Sequence, residues 1–204
     1  MNIFKIDSPI FNVLSRVCDI MILNILWILC SIPVITVGTS TTALYYCMLK
    51  INRKEDYGIM KMFFHSLCQN LKQGCILTLF FIVSGLLLFI DFRICKHMDG
   101  SIGSALMIAL SLLSIVWGLM VSYAFPILAQ FENSVINILK NSFLMSISNI
   151  RSTPIVVFNA VPIILFVGLP QIFVMSIPVV LSVGVAFIAF INSKMLINVF
   201  DKYI

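Results

Sequence analysis

Residues 24–46 read NILWILCSIPVITVGTSTTALYY, and this stretch decides the class of protein to which the chain belongs. It opens as an apolar helix, meets Pro33, breaks near Gly38 and continues through hydroxyl residues to a tyrosine pair. No Asp, Glu, Lys, Arg or His lies between Asp19 and Lys50. An apolar run of this length without charge predicts a helix inside a lipid bilayer.

The composition extends this prediction to the whole chain. Hydrophobic residues make up 61% of the 204 residues and charged residues only 10%, with a mean hydropathy of +1.11. Soluble domains carry about 25% charged residues. No polar block is long enough to fold by itself, so we expect residues 1–204 to form a single integral membrane domain.

Charge and cysteine usage narrow the expected partners. The net charge is +5, and the basic residues cluster at the ends of apolar segments. This placement favours anionic lipid headgroups over nucleic acid, so the lipid bilayer is the expected partner and no nucleic acid is expected. No pair of cysteines has CxxC spacing, which predicts small apolar side chains and neither a metal nor a cofactor. The cysteines are Cys18, Cys30, Cys47, Cys68, Cys75 and Cys95.

The amino-terminal segment is predicted as a short surface helix that starts at Ser8-Pro9, followed by an uncleaved first span over Ile20–Val37. Pro33 ends or kinks this span because it lacks a backbone donor. Gly38 then allows the chain to reverse. The second piece, residues 38–49, is capped by Thr39 or Ser40 and is too short to cross the bilayer, so it is re-entrant or interfacial.

Further apolar segments and two amphipathic segments complete the predicted architecture. The amphipathic helices lie within Lys50–Lys72 and Gln130–Arg151, each with one apolar and one polar face. The further spans are Gly74–Ile90, Ser104–Phe125, Pro154–Val167 and Ile172–Ile191. We therefore predict an all-α, polytopic helical membrane protein with about five transmembrane helices plus interfacial amphipathic helices.

The basic residues predict an orientation in the bacterial plasma membrane. The densest basic cluster, Lys50–Lys72, belongs inside, which puts the short loop Asp91–Gly103 outside. With five spans, the amino terminus is then outside and the carboxyl terminus inside. A weak internal repeat is also predicted, with residues 20–92 as one unit and 104–172 as the other, because both contain Phe, five residues, Asn, an aliphatic residue and a base.

The polar residues of the sequence do not form the pattern of a known enzyme active site. No charged residue lies in the predicted spans after Gly74, which argues against a proton-coupled pump. His65 and His97 are the only histidines and fall on opposite sides of the predicted membrane. No GxSxG, HExxH, P-loop or Rossmann pattern is present, so we predict no enzymatic activity and no catalytic residues.

Two groups of residues remain as candidate sites. The hydroxyl residues around the helix break can form a structural kink, a site for an anion or lipid headgroup at a helix start, or a transport site. The candidate residues are Thr36, Thr39, Ser40, Thr41 and Thr42, together with Gly38 at the break itself. The ends of the amphipathic helices can form simple elbows or dock a cytoplasmic or membrane partner. The residues proposed for docking are Phe64, Asn70, Lys72, Asn149 and Arg151.

The opening of the chain, together with residues 64–74, resembles the YesL-like family of bacterial membrane proteins. The opening residues are Asp7, Ser8, Pro9, Ser15, Arg16, Asp19, Asn24, Trp27, Pro33, Thr36, Gly38, Thr41, Thr42, Ala43, Leu44, Tyr45 and Tyr46. The later ones are Phe64, Ser66, Asn70, Lys72, Gln73 and Gly74. The resemblance implies a polytopic protein of unassigned activity whose relatives often appear beside carbohydrate importers and their regulators. It supplies no catalytic residues.

Two functional hypotheses follow. The first is an accessory or regulatory membrane protein that binds a membrane transport complex for carbohydrate uptake, or another copy of itself, through the amphipathic helices. The second is a transporter or permease-like subunit that uses the broken helix at Pro33–Thr42.

Overall fold

The computed structural model describes residues 9–55, 58–98, 100–149, 159, 177–178 and 180–203. Every regular element in these ranges is helical, which confirms the predicted all-α class. The helices are α1 (Pro9–Cys30), α2 (Val37–Asn52), α3 (Ile59–Gln69), α4 (Leu71–Cys95), α5 (Ser101–Gln130), α6 (Val135–Ser148) and α7 (Val185–Phe200). A 3₁₀ turn, Val34–Thr36, precedes α2, and a π-helical turn, Val180–Gly184, continues into α7.

Three of the described helical stretches are long and apolar enough to cross a membrane. They are Leu71–Cys95, Ser101–Gln130 and Val180–Phe200, with mean hydropathies of 2.5, 2.2 and 2.0. Their large side chains point away from the protein, as at Phe89 and Ile108, which are 60% and 65% exposed. Such surfaces suit lipid and not water. These stretches contain the second and third predicted spans and part of the fifth, whereas the fourth, Pro154–Val167, lies almost wholly outside the described residues.

The predicted helix bounds need correction in α1 and in α5. α1 is one continuous helix from Pro9 to Cys30, so the expected surface helix and first span are not separate elements. Pro126 lies inside α5, which continues to Gln130 instead of ending before the proline. A proline inside a helix costs about 3 kcal/mol. Pro126 and its neighbours Ile127 and Leu128 are buried, and this packing holds the last turn of α5 in helical form.

The chain reverses earlier than predicted. The break follows Cys30, and the hydroxyl of Thr36 donates to the carbonyl oxygens of Cys30 and Pro33, each at 2.7 Å. α2 already begins at Val37, with Thr36 as the residue before it. Gly38 is therefore in the first turn of a helix, and neither Thr39 nor Ser40 is a cap.

α2 forms the centre of the fold. It packs against α1, α3, α4, α5 and α7, and nearly all of its residues from Gly38 to Ile51 are buried. Small residues bring α2 and α4 together. A Cβ on Gly74 would lie 2.9 Å from the Cα of Thr39, and a Cβ on Gly38 would overlap Thr78 and Phe125. Close backbone approach at small residues is the usual way in which helices pack in membranes.

Candidate functional site

Most hydroxyl residues around the break form hydrogen bonds with carbonyl oxygens of the protein itself. Thr41 and Thr42 donate to the carbonyl oxygens of Val37 and Gly38, at 2.7 and 2.9 Å. Thr39 donates to the carbonyl oxygen of Leu71 at 3.4 Å and so joins α2 to the start of α4. The hydroxyl of Ser40 is buried and has no hydrogen-bond partner among the described residues. This arrangement favours a structural role for the stretch Thr36–Thr42.

Asn24 is a buried polar residue to which the sequence analysis assigned no structural or functional role. Its side-chain amide donates to the carbonyl oxygens of Val180 and Leu181, at 3.2 and 2.7 Å. Its side-chain oxygen accepts the backbone N–H of Ala186 at 3.0 Å. The π-helical turn leaves these backbone groups without their usual helical partners. One available signal was that Asn24 is the only carboxamide between Asp19 and Lys50.

A second polar contact joins α2 to α7. The side-chain amide of Asn192 donates to the hydroxyl of Tyr45 at 3.2 Å and to the side-chain oxygen of Asn159 at 2.9 Å. Near the end of α2, Asn52 donates to the hydroxyl of Ser193 at 2.6 Å. These bonds fix α7 against the central helix.

The two predicted elbows have the same local geometry. Asn70 follows α3 and donates, through both its backbone N–H and its side chain, to the carbonyl oxygen of Ser66 at 3.0 Å. Asn149 follows α6 and bonds the carbonyl oxygen of Met145 in the same way, at 3.1 and 3.3 Å. Arg151 lies outside the described residues. The repeat of 20–92 with 104–172 stays a prediction.

The amphipathic helices keep part of their apolar surface outside the protein. In α3, Phe63 is buried whereas Phe64 is 47% exposed. In α6, the buried side carries Ile138 and Met145, and the predicted apolar face points outward. The exposed apolar residues of that face are Ile136, Phe143 and Ile147. Both helices can therefore lie against lipid or against another protein.

A polar cleft of about 1020 Å³ opens where the α3–α4 elbow faces the α5–α6 connection. Carboxamides are the commonest side chains in its lining, and the lining also contains His65, Lys72 and Glu132. The carboxamides are Gln69, Asn70, Gln73, Gln130, Asn133 and Asn137. Of the residues predicted to dock a partner, Asn70 and Lys72 line the cleft, whereas Phe64 and Asn149 do not.

An ion pair joins the end of α2 to the end of α7. Arg53, just after α2, bonds the carboxylate of Asp201, just after α7, at 2.7 Å. Lys50 bonds Glu55 at 2.6 Å. The hydrogen bond from Lys50 lowers the pKa of the Glu55 carboxyl below its usual value. The ends of α2 and α7 therefore meet near one surface.

Two comparisons with known proteins bear on the family. The family model described as "Protein of unknown function, DUF624" matches residues 20–92. The chain is also 28% identical, over 130 residues, to "Uncharacterized protein YesL" of Bacillus subtilis (strain 168). That match covers 62% of this chain and 61% of the relative, so the chain spans less than two thirds of the length of the curated relative. No solved structure matches the chain significantly.

These matches support the resemblance to the YesL-like family that the opening stretch predicts. The family model covers the second half of α1, all of α2 and α3, and α4 as far as residue 92, and so includes the central helix and the first elbow. Neither match carries an assigned activity. Over the matched residues the chain is therefore similar to YesL-like proteins, a group whose function is unknown.

Proposed function

We propose that the protein is an accessory or regulatory membrane protein. It binds a partner complex on the side of the membrane where the basic cluster Lys50–Lys72 lies, which we call the basic side. The observation that carries this proposal is the polar cleft beside two outward-facing apolar helix surfaces. Carboxamides line the cleft, and most of them make no side-chain hydrogen bond to the described protein. Protein interfaces are enriched in aromatic residues and carry several direct hydrogen bonds, and this surface offers both exposed aromatic rings and carboxamides.

We further propose that the partner is a membrane complex for carbohydrate uptake. The support is the resemblance to YesL-like proteins, whose relatives often appear beside carbohydrate importers. A second copy of this chain is the alternative partner.

The contacts of α1 support a revision of the predicted crossing pattern. Thr39, in the first turn of α2, contacts Leu71 at the start of α4. Val34, in the turn before α2, lines a cleft together with Ile82 and Gly85 of α4. Those two residues lie about 17–21 Å along α4 from its first residue, at 1.5 Å per residue. The turn before α2 therefore reaches the middle of α4. Because α1 packs against both α2 and α3, we propose that α1 and α2 form a re-entrant hairpin whose two ends are on the basic side.

This proposal places both termini in the cytoplasm. It replaces about five full crossings with about four crossings and the hairpin. The four crossings are α4, α5, the predicted span Pro154–Val167 and the stretch Val180–Phe200. The exposed apolar tip of the hairpin, with Ile32 73% exposed, suits the bilayer interior.

Co-purification tests the accessory role. Phe64→Ala removes an exposed aromatic ring from α3, and we expect it to reduce recovery of the partner complex from native membranes at least fivefold. Phe89→Ala, on a ring far along α4 that is 60% exposed, is the control and should leave recovery unchanged. Quantitative mass spectrometry of the purified complex gives the readout. Equal recovery with both variants, or no partner with the native chain, contradicts the proposal.

The transporter hypothesis makes the opposite prediction. A transporter that uses the Pro33–Thr42 break moves a solute when the pure protein is placed in liposomes, and Thr41→Val with Thr42→Val abolishes that flux. We expect no saccharide flux from the native protein, because the hydroxyls of Thr41 and Thr42 are engaged with helix carbonyls. Radiolabelled sugar uptake measures it, and uptake lost in the double variant would favour the transporter.

A further inference from the structure

The polar face of α6 extends the cleft into a longer groove. A second cavity of about 480 Å³ adjoins the first, and both are lined by Phe131 and Asn133. Asn137 lines the first cavity and Asn141 the second. Ser148, one residue before the second elbow, lines the far end. From residue 133 to residue 148 the groove runs about 22 Å at the helical rise of 1.5 Å per residue. We call this surface the asparagine groove.

The carboxamides of this groove have the chemistry of a peptide unit. Each carboxamide has one acceptor oxygen and one donor nitrogen, as does each backbone amide. Asn133, Asn137 and Asn141 make no side-chain hydrogen bond to any described residue. Each is thus available to pair with a donor and an acceptor on one partner.

The spacing of the asparagines matches that of an extended chain. Asn137 and Asn141 are one helical turn apart, which is about 6 Å along the axis. Every second residue of an extended polypeptide repeats at about 6.6 Å. The whole groove accommodates about six extended residues at this rise. Alternate peptide units of a bound segment would therefore meet successive asparagines.

The charge of the groove argues against an anionic ligand. Lys72 and Glu132 are the charged side chains of the first cavity and cancel, and the described lining of the second cavity carries no charged side chain. The chain as a whole carries +5, so this neutrality is local. A lipid phosphate or a free phosphate would require a surplus of positive charge. A peptide main chain is neutral and requires none.

We propose that the asparagine groove binds an extended polypeptide segment of a partner protein and reads its main chain through Asn133, Asn137 and Asn141. Phe131, Tyr46 and Tyr203 supply apolar contacts for the side chains of that segment. This inference rests on the proposed function, since it states how a partner is held. It differs from that proposal in requiring main-chain hydrogen bonds.

Site-directed photo-cross-linking identifies the bound segment. The photoreactive amino acid p-benzoylphenylalanine replaces Gln130 in the cleft or, as a control, Ile136, which is 76% exposed outside it. We expect a peptide adduct at position 130 in intact cells and not at position 136. An adduct that is a lipid, equal adducts at both positions, or no adduct at position 130 overturns the inference.

Backbone methylation of the captured segment then tests main-chain recognition. The segment is synthesised in two forms, each N-methylated at a different set of alternate residues, and binding to the full chain in detergent is measured by fluorescence anisotropy. We expect one form to bind about tenfold more weakly and the other to bind normally, since only alternate units face the asparagines. Equal binding of both forms overturns the inference.

Substitution on the groove side completes the test. Asn137→Leu with Asn141→Leu keeps the branching of the side chain at Cγ and removes the carboxamides, and it should weaken peptide binding about tenfold. Asn198→Leu, on an exposed residue of α7, is the matched control and should bind normally. Unchanged binding in the double variant overturns the inference. If a partner still co-purifies in a Phe64-dependent way, the accessory role stands and only main-chain recognition fails.

Discussion

At the scale of single residues, Asn24 shows how one polar side chain can decide a helix path. Its carboxamide satisfies two carbonyl oxygens and one N–H at the π-helical turn that leads into α7. The side chain is fully buried, so water cannot replace it. Because unpaired backbone groups are costly in an apolar setting, Asn24 stabilises this turn.

We predict that Asn24→Leu destabilises the protein by about 1–3 kcal/mol, because it leaves these backbone groups unpaired. Tryptophan fluorescence during thermal unfolding in detergent measures the change, and nearby Trp27 reports on α1. Asn198→Leu removes an exposed carboxamide and should leave the melting temperature unchanged. Equal melting of the two variants would show that Asn24 does not hold the turn.

The sequence could not have assigned this role to Asn24. Its partners Val180, Leu181 and Ala186 lie more than 150 residues away, and no periodicity in an apolar run reveals a π-helical turn. The elbow asparagines were more accessible to prediction. Asn70 and Asn149 bond carbonyls only four residues back, so local sequence was sufficient to identify both positions.

At the scale of the helices, the contact between α2 and α4 depends on residues without side chains. Gly74 faces the backbone of Thr39, and the hydroxyl of Thr78 accepts the N–H of Gly38 at 3.1 Å. The sequence reasoning assigned Gly38 to a chain reversal because glycine often permits one. The local pattern contained no information about α4, so the contact role of this glycine was missed.

We predict that Gly74→Ala weakens the α2–α4 contact and costs about 1–3 kcal/mol. The new methyl group would meet the Thr39 backbone at 2.9 Å, and a backbone atom cannot rotate away. Thermal unfolding in detergent provides the measurement. Gly118→Ala serves as the control, since a Cβ there meets nothing within 4 Å. A Gly74 variant as stable as the Gly118 variant would contradict this account of the contact.

At the scale of the whole molecule, hydropathy and charge predicted the class of fold better than its path. The α4 and α5 helices match the second and third predicted spans because long apolar runs depend on composition alone. The path of α1 and α2 did not follow from composition, because a short apolar helix suits a core as well as a membrane. Helix contacts decide between these cases, and α2 is a core helix.

The polar cleft is also a property of the whole molecule. Its walls come from the α3–α4 elbow, the end of α5 and the start of α6, which the fold brings together. The sequence predicted Asn70 and Lys72 near a docking surface, but the opposite wall, with Gln130 and Asn133, required the fold.

The accessory role requires that the cleft and the basic cluster face the cytoplasm. Labelling of single cysteines with a membrane-impermeant maleimide, in a chain whose native cysteines are replaced, tests this most directly. We predict that His97→Cys reacts in intact cells, whereas Lys54→Cys, Glu132→Cys and Ser15→Cys react only after permeabilisation. Reaction of Ser15→Cys in intact cells would instead support the original prediction of an outside amino terminus and five crossings. Reaction of Lys54→Cys and His97→Cys from the same side would contradict the membrane arrangement on which the proposed function depends.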